Sequence, residues 1–317
     1  MQSLAGAVSE EGERMLQAAL SDIEYTDAPS VLILTDSEAG RERGLRAAEL
    51  SGCRVSGVTN LEEGLERLER QLALDSAFLD VERDHGMLDR LLSKLQAEAQ
   101  SGRFGSVILT PAELIDRVAG QAWHPRVEQL IDADEAEQAA SLRLASARTK
   151  HRLHDIGKEQ ALPRLQQLSE EVRRIAAALD SMSVEDVRQE HAQGRGGNDA
   201  GRKIDAAAVR AIIRARRLRD QFFGADLFAD PAWDILLDLY AARLEQRRVA
   251  VSSLCIAAAV PATTALRWIR TLTDMGLLVR TSDPQDGRRV YIELSPQAAG
   301  GVEAYLGAAQ RISPLSL

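Results

Sequence analysis

The chain has 317 residues, enough for two or three domains that each bury a core, and its 48 acidic against 39 basic side chains give a formal net charge of −9. No apolar run reaches about 18 residues and the N-terminal stretch lacks the basic and apolar regions of a secretion signal, so membrane spans are excluded and a cytoplasmic protein is expected. The two cysteines, Cys53 and Cys255, fall in a predicted strand and a predicted helix and read as small buried hydrophobes, not as a disulfide or metal pair.

Residues 1–28 read as one helix, with Met15, Leu16, Ala19, Leu20 and Ile23 on a face suited to docking on the next domain or a second subunit. From 29 to 134 strand and helix alternate. Strands are predicted over 31–34, 54–58, 77–80, 106–109 and 127–131, and helices over 38–50, 61–74, 87–99 and from 112. Short apolar strands separated by helices specify a parallel sheet covered on both faces, with functional groups at the carboxyl ends of the strands. Asp36, Asp80 and Thr110 each stand at such an end.

This pattern resembles the response-regulator receiver domain, a flavodoxin-like fold. The resemblance implies Asp80 as phosphoacceptor, Asp36 as one half of an acidic pair with Thr35 in its neighbour's place, and Thr110 as the switch hydroxyl, beside an unusual Pro111. The lysine that the family places after the fifth strand is absent; the chain reads Asp132-Ala-Asp134. An acyl phosphate needs a divalent cation held by carboxylates and a fixed cation for the transferred oxygens, and both supports are weakened here. The expectation is a pseudo-receiver used for dimerisation or protein contact in place of a phosphorylation switch, with Asp80 as a helix cap or a remnant carboxylate.

Residues 135–182 are helix-compatible, interrupted at Gly157 and Pro163, and suggest that a connector over 135–192 holds two helices, as a hairpin or a dimeric coiled coil. Within it His154-Asp-Ile-Gly-Lys158 resembles the metal-binding signature of HD-type phosphohydrolases, with His124 upstream. The later histidines and the Gly-Tyr-Pro element of the phosphodiesterase class are missing, and only His191 follows. No metal, cofactor or catalytic residue is therefore expected. The glycines of 193–202 lack a preceding strand and a Gly-Lys-Ser/Thr ending, and read as a flexible linker.

Charge is uneven. From Arg202 onward 16 Lys+Arg face 12 Asp+Glu, net +4, whereas the remainder carries 23 against 36, net −13. Basic character thus gathers in 203–317, including Arg210, Arg214, Arg216, Arg217 and Arg219 on one helix, which suit either phosphate contact or a solvated face. The acidic N-terminal part is not expected to lie along a phosphate backbone. A second helix at 233–244 turns Trp233, Leu236, Leu237 and Tyr240 to the core.

A short helix follows, with Ser252 as its expected cap and Leu254, Ala257 and Ala258 on its apolar face. Pro261 then opens a helix that runs to about Met275 and ends at Gly276. On the longer helix Ala265, Ile269 and Leu272 point inward with Trp268 beside them, leaving Thr263, Thr264, Arg267 and Arg270 outward. Hydroxyls near the helix start and guanidiniums one and two turns on suit a major groove. Two apolar strands at 277–281 and 289–294 flank the turn Asp283-Pro-Gln-Asp-Gly287, and Arg288 and Arg289 leave that turn as cations at a loop tip. Such arginines are drawn to a narrow minor groove.

The Asp-Pro-x-Asp-Gly-Arg run at 283–288 and the Leu272-x-x-Met-Gly-Leu-Leu-Val-Arg280 segment resemble the MarR family of bacterial regulators over 206–306, a third of the chain. The resemblance implies a winged helix-turn-helix with Arg288 at the wing-tip arginine.

The expected fold class is α/β plus α+β: a receiver-like parallel sheet, a helical connector and a C-terminal winged helix. The expected function is a dimeric transcriptional regulator, not an enzyme, whose partners are double-stranded DNA with a pseudo-palindromic operator, a second copy, and a regulatory protein at the receiver-like domain. The alternatives are an HD-type nucleotide phosphodiesterase built on His154 and Asp155, and an adaptor that uses its winged helix without DNA.

Overall fold

The computed structural model describes residues 28–70, 73–154, 204–223, 227–283, 286 and 289–312. The expected N-terminal helix, the glycine-rich linker, Asp155, His191 and Arg288 lie outside the described residues.

Strands β1 (Ser30–Thr35), β2 (Arg54–Thr59), β3 (Ser76–Asp80), β4 (Gly105–Thr110) and β5 (Val127–Ile131) form one parallel sheet in the order β2-β1-β3-β4-β5. Their side chains alternate between two covered faces, which is why the strands read as continuous apolar runs. Val31 and Ile33 join Phe78, Val107 and Leu130 on one face, while Leu32 and Leu34 join Leu79 and Ile108 on the other. Helices α1 (Glu38–Ser51) and α5 (Glu135–His154) cover the first face. Helices α2 (Leu61–Arg70), α3 (Leu88–Ser101) and α4 (Ile115–Gln121) cover the second.

Helix α5 departs from the expectation of a connector beginning at residue 135. Leu142 is fully buried and, with Ala145, joins the sheet core, and Ser146 Oγ lies 2.8 Å from Ser76 Oγ. The start of the connector is therefore the fifth helix of the α/β unit. Its inward stripe is made of small residues, Ala139, Ser141, Ala145 and Ser146, around one leucine, which gives a weak hydrophobic periodicity.

The C-terminal unit comprises α6 (Ala206–Leu218), α7 (Asp220–Phe223), α8 (Pro231–Leu244), β6 (Val249–Ala250), α9 (Val251–Ala257), α10 (Ala262–Asp274), β7 (Leu278–Ser282), β8 (Val290–Leu294) and α11 (Pro296–Ile312). Asp205 caps α6 by accepting from the Ala208 amide at 2.8 Å, and Asp230 caps α8 with Pro231 in its first turn. The antiparallel sheet runs β6-β8-β7. Two-residue β6 was not predicted, because alternation cannot show in so short a segment. Val209, Ile235, Leu254, Ala265, Ile269 and Ile292 meet in one core, and Trp233 packs edge-on against Tyr305 with ring centroids 4.8 Å apart, a packing role as expected.

The arginines of α6 are largely tied into the protein. Arg210 forks onto Glu245 and also reaches Asp238; Arg216 binds Asp234 and Asp230; Arg217 donates to the Ala257 carbonyl; Arg219 lies over the Phe228 ring. They fasten α6 and the following turn to α8 and α9. Of the five, Arg214 is exposed.

Candidate nucleic-acid interface

Helices α9 and α10 are bent by 108° at the short break between them, the angle of a helix-turn-helix. Among the described residues no single helix is long and apolar enough to cross a membrane. Pro261 is the residue before the first turn of α10, one position earlier than expected, and Gly276 takes φ 74°, the left-handed conformation that lets the chain leave the helix at once. Ala265, Ile269 and Leu272 are buried as predicted and Leu266 joins them, whereas Trp268, expected beside them on the inward face, is exposed.

Strands β7 and β8 then form a hairpin whose turn is held by the Asp283 amide donating to the Arg289 carbonyl at 3.0 Å and the Arg289 amide donating to the Asp286 carbonyl at 2.9 Å. The Arg289 guanidinium is exposed, with its Nε 3.7 Å from the Asp286 carboxylate, which orients it without burying it.

Residues 232–298 match the family model of the winged helix DNA-binding domain. The chain therefore carries a winged helix at its C-terminal end. Solved structures similar to it include Bordetella bronchiseptica BpsR, a DNA-binding protein regulated by 6-hydroxynicotinic acid, at 21% identity over 39% of this chain and 84% of that one, TM-score 0.23. A probable transcriptional regulator from Pseudomonas aeruginosa is 29% identical over 34% of this chain and 81% of that one, TM-score 0.23. Staphylococcus aureus MepR in its DNA complex is 20% identical over 33% and 72%, TM-score 0.23. BpsR and MepR are MarR-family regulators. No curated protein matches the chain.

The surface of α10 that points away from the winged helix meets the α/β unit at Thr263, Arg267 and Arg270, while Thr271 and Asp274 stay exposed. Thr263, expected to face outward, is only 1% exposed. Its hydroxyl accepts from the Ile131 amide at 3.0 Å and lies 3.3 Å from the Ile131 carbonyl, so it satisfies the outer edge of β5, the last strand of the parallel sheet. Helical periodicity placed Thr263 outward with respect to its own unit. It could not show that a second unit closes over it.

The arginines follow the same pattern. Arg267 Nε donates to Glu128 Oε1 at 2.6 Å and its Nη1 lies 3.3 Å from Glu137; Arg270 Nη1 lies 3.8 Å from the other Glu128 oxygen, with its guanidinium 5.1 Å over Trp123. Thr264 is partly buried. Ser252 does not cap α9. Its amide and hydroxyl both donate to Asp116 of α4, at 2.8 and 2.5 Å.

Arg280 of β7 donates to the Ala119 carbonyl at 2.6 Å and stacks 4.6 Å from the Trp123 centroid; burial, and Arg270 beside it, draw its pKa down to about 10. Burial likewise holds the nearby His124 below the usual histidine range. Asp116, Glu128, Glu137 and Trp123 carry no motif, and sequence reasoning missed them; Arg280 closes the segment that resembles the MarR family, but nothing in that segment assigned it this contact. The one signal was the acidic excess of the N-terminal part.

Asp36, Asp80 and Thr110 do sit at the carboxyl ends of neighbouring strands β1, β3 and β4. Asp80, 1% exposed, is gripped by Arg43, whose Nε donates to one carboxylate oxygen at 2.8 Å and whose Nη2 donates to the other at 2.9 Å. Those hydrogen bonds, more than the bond to Glu82, hold the guanidinium well above its ordinary range. Arg43 and Ser37 in turn hold Glu82 below the usual carboxylate range. Gly40 makes room for this pair, since a Cβ there would meet Asp80 Oδ1 at 2.8 Å and Thr35 Oγ1 at 2.2 Å.

Asp36 accepts from the Glu82 and Arg83 amides and lies 2.7 Å from His85 Nε2, and Thr110 is buried with Gln129 Nε2 at 3.4 Å. Arg43 was not anticipated, because 37 positions separate it from Asp80. Among the described residues no group of three His, Cys, Asp or Glu side chains is placed to hold a metal ion, and His124 Nδ1 accepts from the Arg126 amide.

Proposed function

We propose that the chain is a homodimeric, sequence-specific transcriptional regulator in which α10 enters the major groove and Arg288 and Arg289 of the wing reach the flanking minor groove or its phosphates. The observation that carries this reading is the winged helix match over 232–298 together with a 108° helix pair and an exposed arginine at the wing turn. Thr263, Thr264, Arg267 and Arg270 are the groove-facing residues, with arginine suited to guanine and threonine to a base edge or phosphate.

The α/β unit serves as a pseudo-receiver that supplies protein contact and input. Its strand order, 2-1-3-4-5, is the flavodoxin-like one. The bidentate Arg43 fork supports loss of phosphoacceptor chemistry: a guanidinium holds both Asp80 oxygens, so the positive charge a divalent cation would provide comes from the protein itself. The domain division follows as the pseudo-receiver from residue 29 through the described part of α5, then the remaining connector and linker to 202, and the winged helix from 203 to 317.

Selection of duplexes bound by the full chain from a randomised library tests the function. The expected outcome is a two-fold-related motif with half-site centres about 10 base pairs apart or a multiple of that. Recovery of no motif would overturn sequence-specific regulation.

A further inference from the structure

The contacts between the two units include three of the four residues read as groove-facing, Thr263, Arg267 and Arg270, and extend beyond them to Ser252 of α9 and Arg280 of β7. β5 presents Ile131 to Thr263, and Glu128 meets both Arg267 and Arg270. Glu137 of α5 takes a second arm of Arg267, and Asp116 of α4 takes Ser252 at the start of α9. The apolar share of the contact is modest: Ile115, Ala119 and Ile131 join the winged helix core, and Trp123 is partly buried against it. Carboxylates therefore hold the guanidiniums that would otherwise be available to phosphates or guanine edges, and a buried hydroxyl is committed to a strand edge.

We infer that the α/β unit is an intramolecular competitor for DNA: its acidic β5–α5 edge docks on α10 and keeps the winged helix closed until the two units separate. The inference rests on the reading of α10 as the DNA-contacting helix. It assigns the net −13 outside the C-terminal part a role, because duplex phosphates and this edge compete for the same cations. A ligand or partner that binds the α/β unit better when undocked then raises DNA affinity by its differential affinity for the two states, with no need for chemistry at Asp80.

The test compares full-length variants on one fluorescein-labelled duplex of about 30 base pairs at low salt, the regime in which phosphate contacts are strongest. Glu128→Gln with Glu137→Gln frees Arg267 and Arg270 of their carboxylates. Asp116→Asn loosens the contact from the other side, where no residue of α10 is involved. Glu62→Gln with Glu63→Gln, on exposed positions of α2, makes the same charge change away from the contact.

Both contact variants are expected to bind about tenfold more tightly than wild type, the scale of a modest coupling between sites, and the control within about twofold. Equal affinity across wild type, control and both contact variants would overturn the masking while leaving DNA binding intact. Failure of every protein to bind the duplex would overturn the DNA reading itself, and the masking with it.

Discussion

Replacing Arg43 with methionine is expected to lower the stability of the protein by about 3 kcal/mol, read as a shift in urea-unfolding midpoint. The cause is not the loss of a favourable bond as such. Asp80 is almost wholly buried at the end of β3, and its two oxygens are satisfied by Nε and Nη2 of one guanidinium. Removing that partner leaves a buried carboxylate uncompensated, which costs on the order of 3–5 kcal/mol, and the partial exposure of Arg43 places this site at the lower end. The double variant Arg43→Met with Asp80→Asn removes the charge as well and is expected to recover at least half of the loss. An Arg43→Met protein as stable as wild type would contradict the role given to the fork. The same fork predicts that wild type acquires no label from radiolabelled acetyl phosphate; labelling that disappears in Asp80→Ala would restore a working receiver.

The second large effect is expected at Thr263. Threonine to valine keeps the shape of the side chain but removes the hydroxyl that bridges the amide and carbonyl of Ile131. Ile131 is buried and belongs to the edge strand of its sheet, so both groups lose their lateral partner. An unsatisfied buried polar group costs about 1–3 kcal/mol. Thr263→Val should therefore weaken docking by about 2 kcal/mol, raising the hydrogen-exchange rate of the Ile131 amide roughly thirtyfold. Unchanged exchange at Ile131 would show that the two units are held together by something other than this contact.

Much of the architecture was legible because local rules and global packing agreed. Continuous apolar strands such as Val31–Leu34 announce a sheet covered on both faces, and the predicted strand positions agree with β1 to β5 to within one or two residues. Gly276 marks the end of α10 through a backbone angle few other residues tolerate, and the sequence Asp283-Pro-Gln-Asp-Gly287 marks the break between β7 and β8.

The failures share a physical cause as well. α5 buries alanines and serines, which give too little hydrophobic contrast to separate a core helix from a solvated one. Ser252 has the chemistry of a cap, but Asp116, 136 positions away, offers its amide and hydroxyl a charged acceptor. Thr263 and Arg267 lie on the outward face of their own unit, as periodicity says. Whether outward means solvent, DNA or another domain is a tertiary fact that no window of one helix contains.

That distinction bears on function. The α/β unit, whose Asp80 is held by Arg43, lies directly on the helix that reads DNA in the proposed regulator. The α/β unit and the winged helix meet through β5 and the start of α5. The acidic composition that at first sight disfavours DNA binding then becomes part of how binding is limited.

The most direct measurement is the salt dependence of binding to a duplex recovered by selection, followed by anisotropy with wild type and the Glu128→Gln, Glu137→Gln variant. Log affinity is expected to fall steeply and linearly with log salt, with a slope near −0.9 for each phosphate neutralised, and Arg289→Ala is expected to flatten it by about 1. A duplex affinity that does not change with salt would contradict it, and would leave the winged helix as a surface for protein contact.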